Sequence, residues 1–395
     1  MSRTIQIDVQ SFVKLRQNNY FYIDKTRFIK EWWNSYDRAT LITRPRYFGK
    51  TLMLDTVNTF FSPEFAGSSL FEGLQILEDE KFRNMQGTIP VIFLSFENIK
   101  CQNYDEAIKA IKEQIVSVYK KFLPRLNEND LSEMEKELFE SLNNSMSDVI
   151  VEESLSILSH ILFMQYKTMP IILLDNWDTP LYAAWLNGYY KELNRFINSL
   201  LISTFKVNRY FIRGLITGIT HIQSDMILSS CNNVNIVYTT SQQYSDCFGF
   251  TEDEVSTVMD EYGLTEKEEV KQWYGGFTFG SQTNIYNPWS IINYLAEKEF
   301  LPYLEKTTSN ALIRDLITRS TSRVKDRICT LLQDKTITVR MDKHIVFSQL
   351  FSAIWSFLMA AGYVKPIDND VYTSRYTLKI TNLESQTIFE NIISA

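Results

Sequence analysis

Residues 39–61 read ATLITRPRYFGKTLMLDTVNTFF, and the order of patterns inside them decides the fold. ATLIT (39–43) is a short, β-rich apolar run, the pattern of a strand buried on both faces. In TLMLDTVNTFF (51–61), Leu54, Val57 and Phe61 recur at helical spacing. RPRYFGK lies between them, so the chain reads strand, loop, helix. Gly49-Lys50-Thr51 sits where the helix opens. Backbone N–H groups converging at a helix N-terminus favour an anion. A lysine there reaches terminal phosphates, and the following hydroxyl binds Mg²⁺. The full spelling GxxxxGK[ST] places glycine where this chain has Arg44. The tripeptide therefore draws its weight from its position between strand and helix.

Outward from this stretch, four more apolar runs read as buried strands: PVIFLSF (90–96), PIILLD (170–175), YFIRGLIT (210–217) and VNIVYTT (234–240). Helical patterns at 105–122, 147–166 and 186–206 separate them. Such alternation predicts an α/β domain, a parallel sheet with helices on both faces. Ligands of open α/β sheets bind at the carboxyl ends of the strands. Asp175 ends the second of these runs and is the candidate to hold Mg²⁺ through water; the alternative is a helix cap. Asn176 follows it. An amide orients water but takes no proton at neutral pH. Asp178 and Glu97, near strand ends, are the candidate acids in its place, and Thr217 is a candidate sensor of the terminal phosphate. Each has a plain reading as a cap or strand-end residue. Arg44 and Arg46 either bind phosphate bidentately or pair with surface acids. His221 is a loop histidine and His160 a core one.

Composition limits the functions available. The 395 residues are 45% hydrophobic and 22% charged, which excludes wholesale disorder. A net charge of −7 argues against general polyanion binding. Cysteines at 101, 231, 247 and 329 and three histidines are too scattered for a disulfide framework or a structural zinc. MSRTIQIDVQSFVKLRQ has no apolar leader core, so a cytoplasmic protein is expected. Residues 345–364 carry no charge over a membrane-span length, but Ser348, Ser352 and Ser356 form a polar edge. That predicts a buried helix stopped by Gly362 rather than a membrane span.

After about residue 245 the pattern turns helical. FTEDEVSTVMDEYG (250–263) carries a capping box at Thr251 and Glu254. YVKPI and YTLKI flank the turn-prone DND and predict a hairpin. The expected organisation is a phosphate-binding domain over 1–245, a helical lid over 246–320, and a winged-helix-like domain over 321–395. The cations Arg314, Arg319, Arg323, Lys325 and Arg327 give that tail a basic run.

The chain as a whole is similar to the bacterial AAA-ATPase-like P-loop family, whose members often carry a C-terminal PD-(D/E)XK nuclease domain. The resemblance runs through YIDKTRFIKE (22–31), LITRPRYFGKT (41–51), PVIFLSFE (90–97), IILLDNWDTPL (171–181), LITGITHI (215–222) and FGFTEDEV (248–255). It continues through WYGGFTFG (273–280), IYNPWSIINYL (285–295), TTSNALI (307–313) and AGYVKPI (361–367). It implies a P-loop NTPase fold with ATP and Mg²⁺ as cofactors. Gly49, Lys50 and Thr51 then bind phosphate, Thr51 and Asp175 hold Mg²⁺, and Arg44 and Arg46 are family-typical loop arginines. Asp24 and Lys25 match an N-terminal motif of no assigned role. The family's DEYDxP is DNWDTP here, and its TGxTR is Thr217-Gly218-Ile219-Thr220-His221. One acid and one arginine are thus replaced, which implies binding with weak or lost hydrolysis. The chain stops at Ala395, about where the nuclease would begin, and Asp79-Glu80-Lys81 reads as a surface turn, so no nuclease activity is expected. The competing expectation is a nucleotide-independent adaptor that meets nucleic acid or protein through its tail. Base recognition, oligomeric state and pathway have no readable motif.

Overall fold

A computed structural model describes residues 3–126, 136, 146–220, 234–305, 310–341, 351, 353–370 and 373–394. Five parallel strands form the central sheet: β1 (Ala39–Thr43), β2 (Val91–Ser95), β3 (Ile171–Asp175), β4 (Arg213–Gly218) and β5 (Val234–Val237). Their order across the sheet is β2-β3-β4-β1-β5. The register sets Ser95 beside Asp175 and Thr43 beside Gly218, so the carboxyl ends of β1, β3 and β4 lie together.

Alternate side chains of each strand enter two different cores. Ile172 and Leu174 face a cluster built with α5 (Tyr104–Phe122), α6 (Asp148–Tyr166) and α8 (Tyr190–Leu201). Ile171 and Leu173 face the other, built with α1 (Phe12–Gln17), α2 (Arg27–Asn34), α3 (Lys50–Phe61) and α4 (Glu80–Met85). Burial on both faces is why these strands read as continuous apolar runs rather than alternating ones.

Three local features depart from the sequence reading. Residues 186–206 do not form one helix. α7 (Thr179–Asn187) ends at Gly188 in the left-handed conformation, and α8 restarts at Tyr190 and runs into a π-helical turn over Ile202–Val207. Within 266–320, between α10 (Lys267–Tyr274) and α11 (Pro288–Glu297), stands an antiparallel hairpin, β6 (Phe277–Phe279) and β7 (Gln282–Ile285). Asp79 caps α4, accepting from Lys81 N, which places Asp79-Glu80-Lys81 at a helix start. The capping box of α9 (Glu252–Glu261) is present with both of its bonds.

α12 (Asn310–Thr318) precedes the tail, which contains α13 (Ser322–Leu332), β8 (Ile337–Arg340), α14 (Ile354–Ala360), β9 (Val364–Asp370), β10 (Arg375–Ile380) and α15 (Leu383–Ser394). β9 and β10 pair antiparallel, and the Asp-Asn-Asp run ends β9 instead of forming the turn. β8 adds a third strand on the other side of β10. Of the charge-free helix, Ser348 and Ser352 lie outside the described residues, while Ser356 is buried in α14. Tail residues such as Leu358 and Phe389, and Leu316 before them, join the same cluster as Ile172 and Leu174, so sheet and tail share one core. No helix among the described residues is long and apolar enough to cross a membrane.

Candidate nucleotide site

At the carboxyl edge of the sheet lies a cavity of about 250 Å³. Gly49, Lys50 and Thr51 form its floor, with Gly49 at φ 76° as the N-cap of α3. A left-handed φ favours glycine, which is what lets the chain turn sharply into the helix. Lys50 is buried, and its Nζ donates to Arg44 O at 2.9 Å and Pro45 O at 2.6 Å. Burial pushes its pKa down to about 8, against the opposing pull of Asp178 and Asp175.

Asp175 collects four side-chain donors, the longest from Ser95 Oγ at 3.5 Å to Oδ2. Thr51 Oγ1 donates at 2.8 Å and Asn176 Nδ2 at 2.8 Å to Oδ2, and Thr217 Oγ1 donates at 2.6 Å to Oδ1. Burial nonetheless holds its pKa above the usual carboxylate value, with Glu97 adding to the rise. Asn176 adopts φ 54°, a region that asparagine tolerates better than most residues. Its amide therefore reaches back to Asp175 instead of standing free.

The three candidate acids and sensors part company. Glu97 is half-buried on the cavity wall, accepting from Gln10 Nε2 at 3.3 Å. Asp178 is 1% exposed and off the cavity; its Oδ2 accepts from Ile219 N at 2.8 Å and Thr220 N at 3.1 Å. It anchors the backbone leaving β4 and does not face the cavity, which corrects its reading as an acid for water. Thr217 is fully buried, its hydroxyl engaged with Asp175, so it orients that carboxylate rather than meeting a phosphate.

The two loop arginines also separate. Arg46 lines the cavity, and among the described residues its guanidinium has no ion-pair partner. Arg44 turns away from it, wholly buried. Its NH1 donates to Thr43 O and Tyr238 O at 2.9 Å, its NH2 to Tyr244 O at 3.1 Å, and it lies 4.7 Å from the Phe279 ring centre. Burial lowers its pKa to about 10. Arg44 is a structural clamp in this loop, which corrects its reading as a phosphate ligand. It replaces the usual glycine without blocking the cradle because its side chain leaves outward. His221 lies outside the described residues.

Sequence reasoning missed the cavity's other walls. Val9, Phe21, Tyr22 and Ile23 come from the N-terminal segment, and Phe250, Trp289 and Ile292 from the segment after the sheet. Lys25 joins the two: its Nζ meets the Glu254 carboxylate at 2.7 Å and Asp246 O at 2.8 Å. Asp24 accepts from Thr26 and from Gln75 N, tying the same segment to the body. The motif Asp24-Lys25 was visible; its partners, more than 200 residues away for Lys25, were not.

With that geometry in place, the comparisons with known proteins carry a family. The family described as predicted AAA-ATPase matches residues 6–228, more than half of the chain, and the chain belongs to it. It is an ATPase-like protein by that membership. A protein of Azotobacter chroococcum mcd 1, described as an uncharacterized protein in vnfD 5'region, is 25% identical over 327 residues, which is 80% of this chain and 57% of that protein. The chain thus spans a little over half the length of this curated relative. The Walker-type ATPase PABY2304 of Pyrococcus abyssi aligns over 99% of this chain and 98% of its own at 14% identity, with a TM-score of 0.47. The ORC2 protein of Aeropyrum pernix aligns over 94% of this chain and 96% of its own at 10% identity, with a TM-score of 0.32.

Proposed function

We propose that this chain binds ATP with Mg²⁺ in the cavity and hydrolyses it slowly. The observation that carries this reading is the Thr51–Asp175 hydrogen bond at 2.8 Å beneath Lys50, at the start of α3. Phosphates seated over Gly49–Thr51 meet the positive end of that helix and the Lys50 ammonium. The half-buried Arg46 adds a second cation on the same wall. The oxygen donors of Thr51 and Asp175 suit a hard cation. Among the described residues no group of three metal-binding side chains supplements them, as fits a Mg²⁺ held jointly by protein, phosphate and water. The ion would neutralise charge on the terminal phosphates.

The remaining side chains divide the work. Thr217 and Asn176 orient Asp175. Glu97 is the carboxylate on the cavity wall and the candidate to take a proton from attacking water. Asn176 lacks that capacity, which is why turnover is expected to be slow. The apolar wall of Phe21, Tyr22, Phe250 and Ile292 gives the base and sugar a place out of water. In this reading the chain divides into a nucleotide domain (1–245), a lid (246–320) and a winged-helix-like tail (321–395).

Isothermal titration of ATP with Mg²⁺ into wild type and Lys50→Ala, followed by phosphate release, tests the reading. Binding by wild type alone, with slow release, supports it. Equal affinity in both proteins refutes it and returns the adaptor reading, in which the tail acts without nucleotide.

A further inference from the structure

The amino-terminal end of the sheet lies one strand length away from Asp175, about 15 Å. Three chain entries meet there: residues 36–38 before β1, 169–170 before β3 and 210–212 before β4. Ile171 stands level with Arg213, Ala39 with Gly214, and Ile212 N donates to Pro170 O at 3.0 Å. Tyr36, Met164, Met169, Val207, Tyr210 and Ile212 gather at this end. They are nearly half of the exposed large apolar side chains among the described residues. Tyr36 is 77% exposed and Val207 65%. The Tyr210 ring centre lies 4.5 Å from that of His160 and 5.7 Å from that of Phe163, which ties the strand entry to α6. Tyr36 holds φ 60°, an angle that glycine or asparagine meets more easily, so the turn itself does not call for an aromatic ring. An apolar patch of this kind on a soluble surface marks an interaction site.

The charge of this end is opposite to that of the chain. Residues 36–38, 164–170 and 206–213 hold Arg38, Lys167, Lys206, Arg209 and Arg213 against Asp37 alone, in a chain of net charge −7. Asp37 is itself engaged by Asn235 Nδ2 at 2.8 Å. Arg213 donates to Asp37 O at 2.8 Å and Trp33 O at 3.0 Å, and its guanidinium lies 5.6 Å from the Tyr36 ring centre. Arg38 donates to Asn208 O at 2.7 Å and lies 4.6 Å from the Phe211 ring centre. Carbonyls and rings orient these two cations and leave their charge uncancelled. Lys167, Lys206 and Arg209 are exposed and form no ion pair among the described residues.

We propose that the amino-terminal end of the sheet docks an acidic segment of a partner protein. The segment sets apolar side chains on Tyr36, Val207, Tyr210 and Ile212 and carboxylates against Lys167, Lys206 and Arg209. Apolar anchors supply the contact area, and the opposite charges fix orientation and select the partner. A second copy of this chain fits poorly, because a two-fold interface lays the same patch on itself and sets cation against cation. Nucleic acid fits poorly too. Its phosphates seek runs of cations, whereas the cations here are spaced among Met164, Met169, Val207 and Ile212. The surface is independent of the nucleotide cavity and of the tail.

The test is fluorescence anisotropy with the full chain. The probe is a labelled amphipathic peptide of about fifteen residues, with leucine and phenylalanine on one helical face and glutamate on the other. Wild type is expected to bind it saturably, and about tenfold more weakly when salt rises from about 0.05 to 0.5 M. Lys206→Glu with Arg209→Glu, and separately Tyr36→Ser with Val207→Ser, are each expected to weaken binding by about tenfold or more. All four side chains are exposed or at a turn, so melting midpoints within about 2 °C of wild type are expected. The first pair is also expected to bind the lysine-for-glutamate version of the peptide better than wild type does. No binding by wild type, or affinities within about twofold across wild type and both variants, overturns the proposal. Polyglutamate bound as tightly as the amphipathic peptide overturns the apolar anchors. Duplex DNA bound more tightly than the peptide, and lost in the Lys206→Glu, Arg209→Glu variant, makes this a nucleic-acid surface and overturns the proposal. Light scattering that shows a dimer in wild type and a monomer in Tyr36→Ser, Val207→Ser assigns the patch to a second copy and overturns it as well.

Discussion

Asp178→Ala is expected to destabilise the protein without removing a group that touches nucleotide. Asp178 is 1% exposed, and its Oδ2 accepts from Ile219 N and Thr220 N at 2.8 and 3.1 Å. Hydrogen bonds to a charged group contribute about 1.5–3 kcal/mol each, so two give roughly 3–6 kcal/mol. Burial raises the Asp178 pKa, so ionisation there is itself disfavoured and its loss offsets part of that sum. A net loss of about 3 kcal/mol remains. At about 2–4 °C per kcal/mol for a unit of this size, the melting midpoint falls by about 6–12 °C. Asp178→Asn keeps an acceptor oxygen and is expected to lose only about 1 kcal/mol. Scanning calorimetry measures the midpoints, and phosphate release is read on the same preparations at a temperature below all of them. A midpoint within about 2 °C of wild type together with abolished release would show a carboxylate acting on substrate and would refute this reasoning.

Glu97→Gln is expected to slow phosphate release by about 100-fold while leaving the affinity for Mg·ATP within about threefold; lost affinity would make Glu97 a binding group instead. Lys50, held down to about 8 by burial, is expected to take up a proton as phosphates arrive. Affinity then falls as pH rises above about 8, by up to about tenfold per unit, and calorimetry in buffers of different ionisation heat reads the uptake directly. Zero uptake at that pH contradicts the assignment. Glu384 is buried between α11 and the start of α15, accepting from Ser290 Oγ at 2.8 Å and Leu304 N at 2.9 Å, with its pKa raised from 4.5 to about 7. The native state keeps a proton that the unfolded chain has released, so stability falls as pH rises through that window, by about 3 kcal/mol in all. Glu384→Gln is expected to flatten this slope, and denaturant midpoints across the same pH range check it.

Strands β1, β3 and β4 were legible because each is buried on both faces, which leaves an apolar run such as IILLD. Lys50, Thr51 and Asp175 were legible because the turn, helix start and strand end that place them are local features. The hairpin β6–β7 was missed although FTF and QTNI flank Gly280-Ser281, a readable turn. β8 is four residues long and α1 buries only Phe12 and Leu15, so neither carries a pattern above its surroundings.

The chain order of the five sheet strands, the Gly49–Thr51 turn into α3 and the Asp175 carboxylate at a strand end follow from the amino-acid sequence alone. Their determinants are side-chain periodicity and motifs a few residues long, which depend on near neighbours in the chain. Only the tertiary structure decides which way each side chain at the site turns. Arg44 is drawn from the cradle by carbonyls at Tyr238 and Tyr244 and by the ring of Phe279. Asp178 is taken by the backbone at Ile219 and Thr220, and Glu97 is left facing the cavity. For Arg44 and Asp178 the outcome rests on a buried polar group finding a partner 41 to 200 residues away, and burial makes that partner the deciding term.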